Sequence, residues 1–75
     1  MRMCTFNKDL FGERLRELRK EKGIGQNALA EKIRVSNASI SYWETGKQEP
    51  CASAICKLAE YFNVTTDYLL GVTDD

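Results

Sequence analysis

The chemistry open to this chain comes from a narrow set of side chains, because it contains no histidine and three cysteines. Without histidine the commonest general base is missing, and no Gly-x-Ser-x-Gly elbow, phosphate loop or paired-carboxylate pattern is present. Both absences argue against an enzyme. Cys4, Cys51 and Cys56 cannot complete a four-ligand zinc site without help from acids. Their odd number also argues against a disulfide, and the spacing of Cys51 and Cys56 sets those two on different helix faces. Reduced, partly buried thiols are expected, with no metal, no cofactor and no small-molecule ligand. What remains is hydrogen bonding. Ser36, Asn37, Ser39, Ser41 and Tyr42 place hydroxyls, an amide and a phenol on one short, uncharged stretch. A face meant only for solvent would more commonly carry the Lys and Glu that fill the outside of the segments before it.

Such a face needs elements to hold it, and the chain has 75 residues to build them. That length is enough for one small domain, 1–75, with a thin core. Apolar runs fall far short of the ~20 residues that span a bilayer, and the opening MRMCTFNKD has no apolar signal-peptide segment, so a cytoplasmic chain is expected. The formal net charge is zero, yet residues 1–47 hold ten Lys/Arg against six Asp/Glu, and residues 48–75 hold one against five. One side facing an anion would give that asymmetry, as would helices laced with charge.

No alternating strand pattern occurs, and the segmentation is helical throughout. The first block, about Lys8 to Lys22, lines up Phe11, Leu15, Leu18 and the stem of Lys22, with Asn7 as N-cap and Gly23 as stop. Glu13, Glu17 and Glu21 share a solvated face. The second block is Gln26 to Ile33 and the third Asn37 to Thr45, with Ser36 as N-cap and the turn Arg34-Val35-Ser36 between them. Phe6 with Phe11, Ile24 with Leu29 and Val35 with Ile40 repeat one hydrophobic-staple arrangement at three successive helix starts. The fourth block, Ala52 to Phe62, has Cys51 at its cap and a stripe of Ala52, Ile55, Leu58, Ala59 and Phe62. A last helix, Thr66 to Leu70, follows Asn63 in a left-handed stop and Thr65 as cap, and ends at Gly71; the VTDD tail is expected to fray.

Residues 26–45, QNALAEKIRVSNASISYWET, have the apolar spacing, the small Ala30 and the tight turn of a helix-turn-helix. With GERLRELRKEKGIG before them and ICKLAEYFNVTTDYLLG after, about residues 10–71 resemble the Cro/CI-type (XRE, lambda-repressor-like) domain. Arg19, Gln26, the Trp43-Glu44-Thr45-Gly46-Lys47 stretch and Pro50 keep that family's order. The resemblance implies an all-α, five-helix DNA-binding domain, acting as a homodimer on a near-palindromic double-stranded DNA operator. It implies a structural ion pair between Arg19 and Glu44. It places Asn37, Ala38, Ser41 and Tyr42 against base edges, where Asn can pair with adenine N6 and N7 and the Ala methyl can meet thymine. Gln26, Ser36, Ser39, Thr45 and Lys47 are implied at phosphates, with Arg14 and Arg34 as further cations. Tyr68, Leu70 and Val72 are the expected dimer contacts, while Leu69 is better used to close the core.

Two departures stand out. Arg34 occupies a position where the family usually has glycine, so a strained or reshaped turn is expected; Gly25 replaces the usual Ser/Thr cap. The functional expectation is a stand-alone, sequence-specific transcriptional regulator without catalysis or effector domain. The competing one is an antitoxin-like protein-interaction module with secondary DNA binding.

Overall fold

The structure is a computed structural model that describes residues 6–72. Cys4 and the tail beyond Val72 lie outside the described residues. The chain forms α1 (Lys8–Glu21), α2 (Gln26–Ile33), α3 (Asn37–Glu44), α4 (Ala52–Phe62) and α5 (Thr66–Leu70). Local chemistry explains the starts. Asn7 Oδ1 accepts the Leu10 N–H at 3.0 Å, Ser36 Oγ accepts that of Ser39 at 3.1 Å, and Thr65 Oγ1 accepts that of Tyr68 at 3.0 Å. Each bond satisfies a donor that the helix leaves unpaired. The Phe6 and Phe11 rings meet at 5.7 Å between centroids, stapling the entry to α1. Gly25 and Cys51 cap α2 and α4 without a side-chain bond.

Phe11, Leu15, Leu29, Ile40, Leu58 and Leu69 are fully buried, one or more from every helix, so a single core ties all five together. Burying each such side chain is worth about 1.5–3 kcal/mol before the entropy cost. Leu69 closes this core from α5. Helices α1 and α3 approach closely at Gly12. A Cβ there would stand 2.6 Å from the Trp43 carbonyl oxygen and 2.7 Å from that of Glu44.

Four details depart from the sequence expectation. On α4 the inward stripe is Ala54, Leu58, Ala59 and Phe62, an i, i+4, i+5, i+8 pattern, and Ala52 is exposed. Both free thiols are exposed rather than partly buried: Cys51 precedes α4 and Cys56 lies on its outer side. Lys22 is exposed, its ammonium 4.4 Å from the Tyr61 ring centroid, so its stem leaves the apolar stripe of α1 for α4. Thr45 ends α3 as its C-cap. Arg34, in contrast, keeps the turn a glycine would give: it adopts the left-handed conformation at φ 60° and ψ 53°, and the Val35 N–H closes back on the Ala30 carbonyl at 2.9 Å.

Candidate nucleic-acid interface

One face of α3 is spent on the fold and the other is free. Ile40, Trp43 and Glu44 point inward, while Asn37, Ala38 and Tyr42 are exposed and Ser41 is half-buried. The free positions fall at i, i+1, i+4 and i+5, which lie along one side of a helix. None of the four is charged.

What fixes this side in space is a single carboxylate. The Glu44 side chain has no exposed surface, yet it ends α3 with both oxygens occupied. Arg19 of α1 donates through Nε to Oε2 at 2.7 Å and through Nη2 to Oε1 at 3.1 Å. Gln26, the first residue of α2, donates its amide to Oε1 at 3.1 Å. Arg16 Nε stands 3.6 Å from the same oxygen, half exposed. Burial alone would raise the Glu44 pKa, but the hydrogen bonds from Arg19 and Gln26 and the charges of Arg19 and Arg16 outweigh it and hold the carboxyl below the usual range. The hydrogen bond to Glu44 likewise raises Arg19. Arg19 Nη1 also donates to the Ile24 carbonyl at 3.1 Å, so one guanidinium holds α1, the α1–α2 loop and the end of α3.

At the other end of α3 the Asn37 amide donates to Asn27 Oδ1 at 2.7 Å. That bond fixes which way the amide faces, and leaves one N–H and the carbonyl oxygen of Asn37 for a ligand. Asn27 was not foreseen from the sequence: a pair ten positions apart across a turn has no periodic signature.

The other residues implied at phosphates surround this face. Ser36 and Ser39 are 2.9 Å apart through their hydroxyls, at the mouth of α3. Thr45 donates its hydroxyl to the Ser41 carbonyl at 2.9 Å, and Lys47 is exposed just beyond. Gln26 opens α2, where Gly25 supplies no capping side chain, so the first amides of α2 receive no side-chain cap. Arg34 is exposed in the turn. Arg14 is engaged elsewhere: it donates to the Tyr68 carbonyl, and its guanidinium lies 4.3 Å from the Tyr68 ring centroid, docking α5 on α1. Tyr68 and Leu70 are half-buried, and Val72 is exposed. Among the described residues no cluster of His, Cys, Asp and Glu could hold a metal ion, and no helix is long and apolar enough to cross a membrane.

Five short helices, with the second and third joined by a tight turn and the third presenting an uncharged polar side, define a helix-turn-helix protein. The profile of the family described as "Helix-turn-helix domain" matches residues 12–74. The chain belongs to the Cro/CI-type family of helix-turn-helix proteins. It is 40% identical over 60 residues to the HTH-type transcriptional regulator ImmR of Bacillus subtilis strain 168, covering 80% of this chain and 47% of that protein. It is 42% identical over 61 residues to the HTH-type transcriptional activator BcrR of Enterococcus faecalis, covering 81% of this chain and 30% of that one. The chain therefore spans about half the length of the relatives it matches, or less. Among solved structures it is similar to the P22 c2 repressor in complex with a synthetic operator, with a TM-score of 0.78 and 41% identity over 81% of this chain and 92% of that one. It is also similar to the restriction-modification controller protein C.AhdI of Aeromonas hydrophila, at TM-score 0.76 and 32% identity, covering 83% and 94% of the two chains.

Proposed function

We propose that this chain is the DNA-reading part of a transcriptional regulator, with α3 entering the major groove. The observation that carries this reading is the exposed, uncharged side of α3 set opposite the buried Glu44 network. A helix with Asn37, Ala38, Ser41 and Tyr42 outward can meet base edges without the penalty a carboxylate would suffer there. Asn37 presents an acceptor and a donor to adenine, with Asn27 as its support. Gln26, Ser36, Ser39, Thr45 and Lys47 flank the groove walls as phosphate contacts, and Arg34 adds a cation beside them. The likeness to a repressor bound to its operator supports the assignment. The protein works in the cytoplasm, as a homodimer on a near-palindromic site, with no catalytic step.

Fluorescence anisotropy tests it, using the DNA upstream of the protein's own gene against a scrambled duplex across a salt series. A preference of about a thousandfold, with a salt slope of a few phosphates, is expected. Equal weak binding to both duplexes would overturn an operator at that locus. Asn37→Ala should lower discrimination at one A·T pair by about 1–3 kcal/mol and leave the melting temperature unchanged. Loss of fold in that variant would remove Asn37 from the reading face.

A further inference from the structure

A groove of about 560 Å³ lies between the C-terminal ends of α1 and α2 and the body of α4. Lys22, Lys32, Arg34 and Lys57 surround it, Ile33 and Tyr61 give it apolar surface, and Glu60 is its single acid. None of its lining belongs to α3. Lys22 is engaged with Tyr61, donating to its carbonyl at 3.2 Å with the ammonium over its ring. Lys32, Arg34 and Lys57 are exposed and form no ion pair among the described residues.

We propose that this groove docks an acidic segment of a partner protein, one that carries an aliphatic or aromatic side chain among its carboxylates. Part of the positive charge has a local reason: Lys22, Lys32 and Arg34 sit at helix C-termini, where cations offset the dipole. Lys57 has none, since it stands in the middle of α4, and it adds to a field that the helix ends already balance. The apolar surface selects the class of anion. A nucleic-acid backbone presents about one charge per 1.7 Å and nothing to cover Tyr61 and Ile33, and Glu60 would face that dense array. Carboxylates on a peptide can be spaced around Glu60, with an apolar side chain laid on the tyrosine ring. The groove thus gives the protein a second binding surface, whose lining shares only Arg34 with the proposed DNA contacts.

The test is an NMR titration of the nitrogen-15-labelled chain at low salt. The probe is a short synthetic peptide of Asp and Glu containing one Leu and one Phe, and the control carries Asn and Gln in place of the acids. Saturable shifts at the amides of Lys32, Arg34, Lys57 and Tyr61, produced by the acidic peptide alone and fading with salt, are expected. Lys57→Glu should weaken binding about tenfold without altering thermal melting or operator affinity, and Lys32→Glu, an independent second variant, should weaken it likewise with operator affinity unchanged and a small fall in melting temperature from the lost cation at the α2 C-terminus. No saturable shift, equal shifts with the neutral control, or shifts centred on Asn37 to Tyr42 would each overturn the proposal. So would a duplex that moves the groove amides and loses affinity on Lys57→Glu, since the cations would then be phosphate contacts.

Discussion

Glu44 is a buried carboxylate that joins α1, α2 and α3, and its sensitivity to pH follows from its partners. The Arg19 and Gln26 hydrogen bonds hold its carboxyl below the usual range, so the folded chain binds that proton more weakly than the unfolded one. The stabilisation is complete above the ordinary carboxylate pKa and is lost as pH falls through the lower folded value. Glu44→Gln leaves Arg19 facing a neutral amide and should cost about 3 kcal/mol at neutral pH. Urea melts of the two proteins across a pH series should show that gap narrowing in acid; a constant gap would mean that the charge of Glu44 contributes nothing. Arg34 presents the opposite case, a residue held where it is uncomfortable. Its left-handed backbone costs a non-glycine residue about 1–2 kcal/mol, and the turn is built as though glycine were there. Arg34→Gly should therefore raise stability by about 1 kcal/mol, a gain of about 4–8 °C in melting temperature. A fall would show that the arginine side chain contributes more than its backbone costs.

Gly12 shows how one helix sets another. In α1 it costs helix propensity, about 1 kcal/mol against alanine, and it makes no turn. Its use is the contact with α3, whose Trp43 and Glu44 carbonyls lie where a Cβ would be. Gly12→Ala should therefore lose about 1–3 kcal/mol despite the better propensity, and should weaken DNA binding further by tilting α3; a more stable variant would show that the two helices separate without strain. Neither Gly12 nor Asn27 could be found from periodicity, because each matters only once two helices are placed against each other. The helix limits were legible for the opposite reason. Asn7, Ser36, Thr65 and Asn63 act on their own few residues, so the starts of α1, α3 and α5 and the end of α4 follow from the sequence. The inward side of α4 was less legible, because Ala52 and Ala54 are equal in type and only the packing of Leu58 and Phe62 chooses between them. The same limit applies to Arg14: its charge suggests a ligand, and the fold gives it to Tyr68.

A helix of eight residues is about 12 Å long and can touch only a few base pairs, and in the proposed homodimer two such helices would stand about one DNA turn, 34 Å, apart. The pairing surface of such a dimer would have to be rigidly joined to α3 and lie off the reading face. The end of α5 fits both conditions: Leu69 is sunk in the core, Arg14 clamps Tyr68 to α1, and from that anchored turn Leu70 is half-buried and Val72 exposed. Val72 is 42% exposed, one of only two large apolar side chains so open among the described residues; the other is Tyr42 on α3. If the proposed dimer pairs through this end of α5, Val72→Glu sets two carboxylates against each other across its two-fold axis and should weaken self-association by tenfold or more, about 1.4 kcal/mol or greater. Sedimentation equilibrium reads that change directly. Affinity for an isolated half-site should stay the same, because α3 is untouched, while the gain from joining two half-sites disappears. A variant that remains dimeric places the two-fold contact elsewhere on the molecule. One that loses half-site affinity as well would show that the α5 end and the reading helix do not act separately.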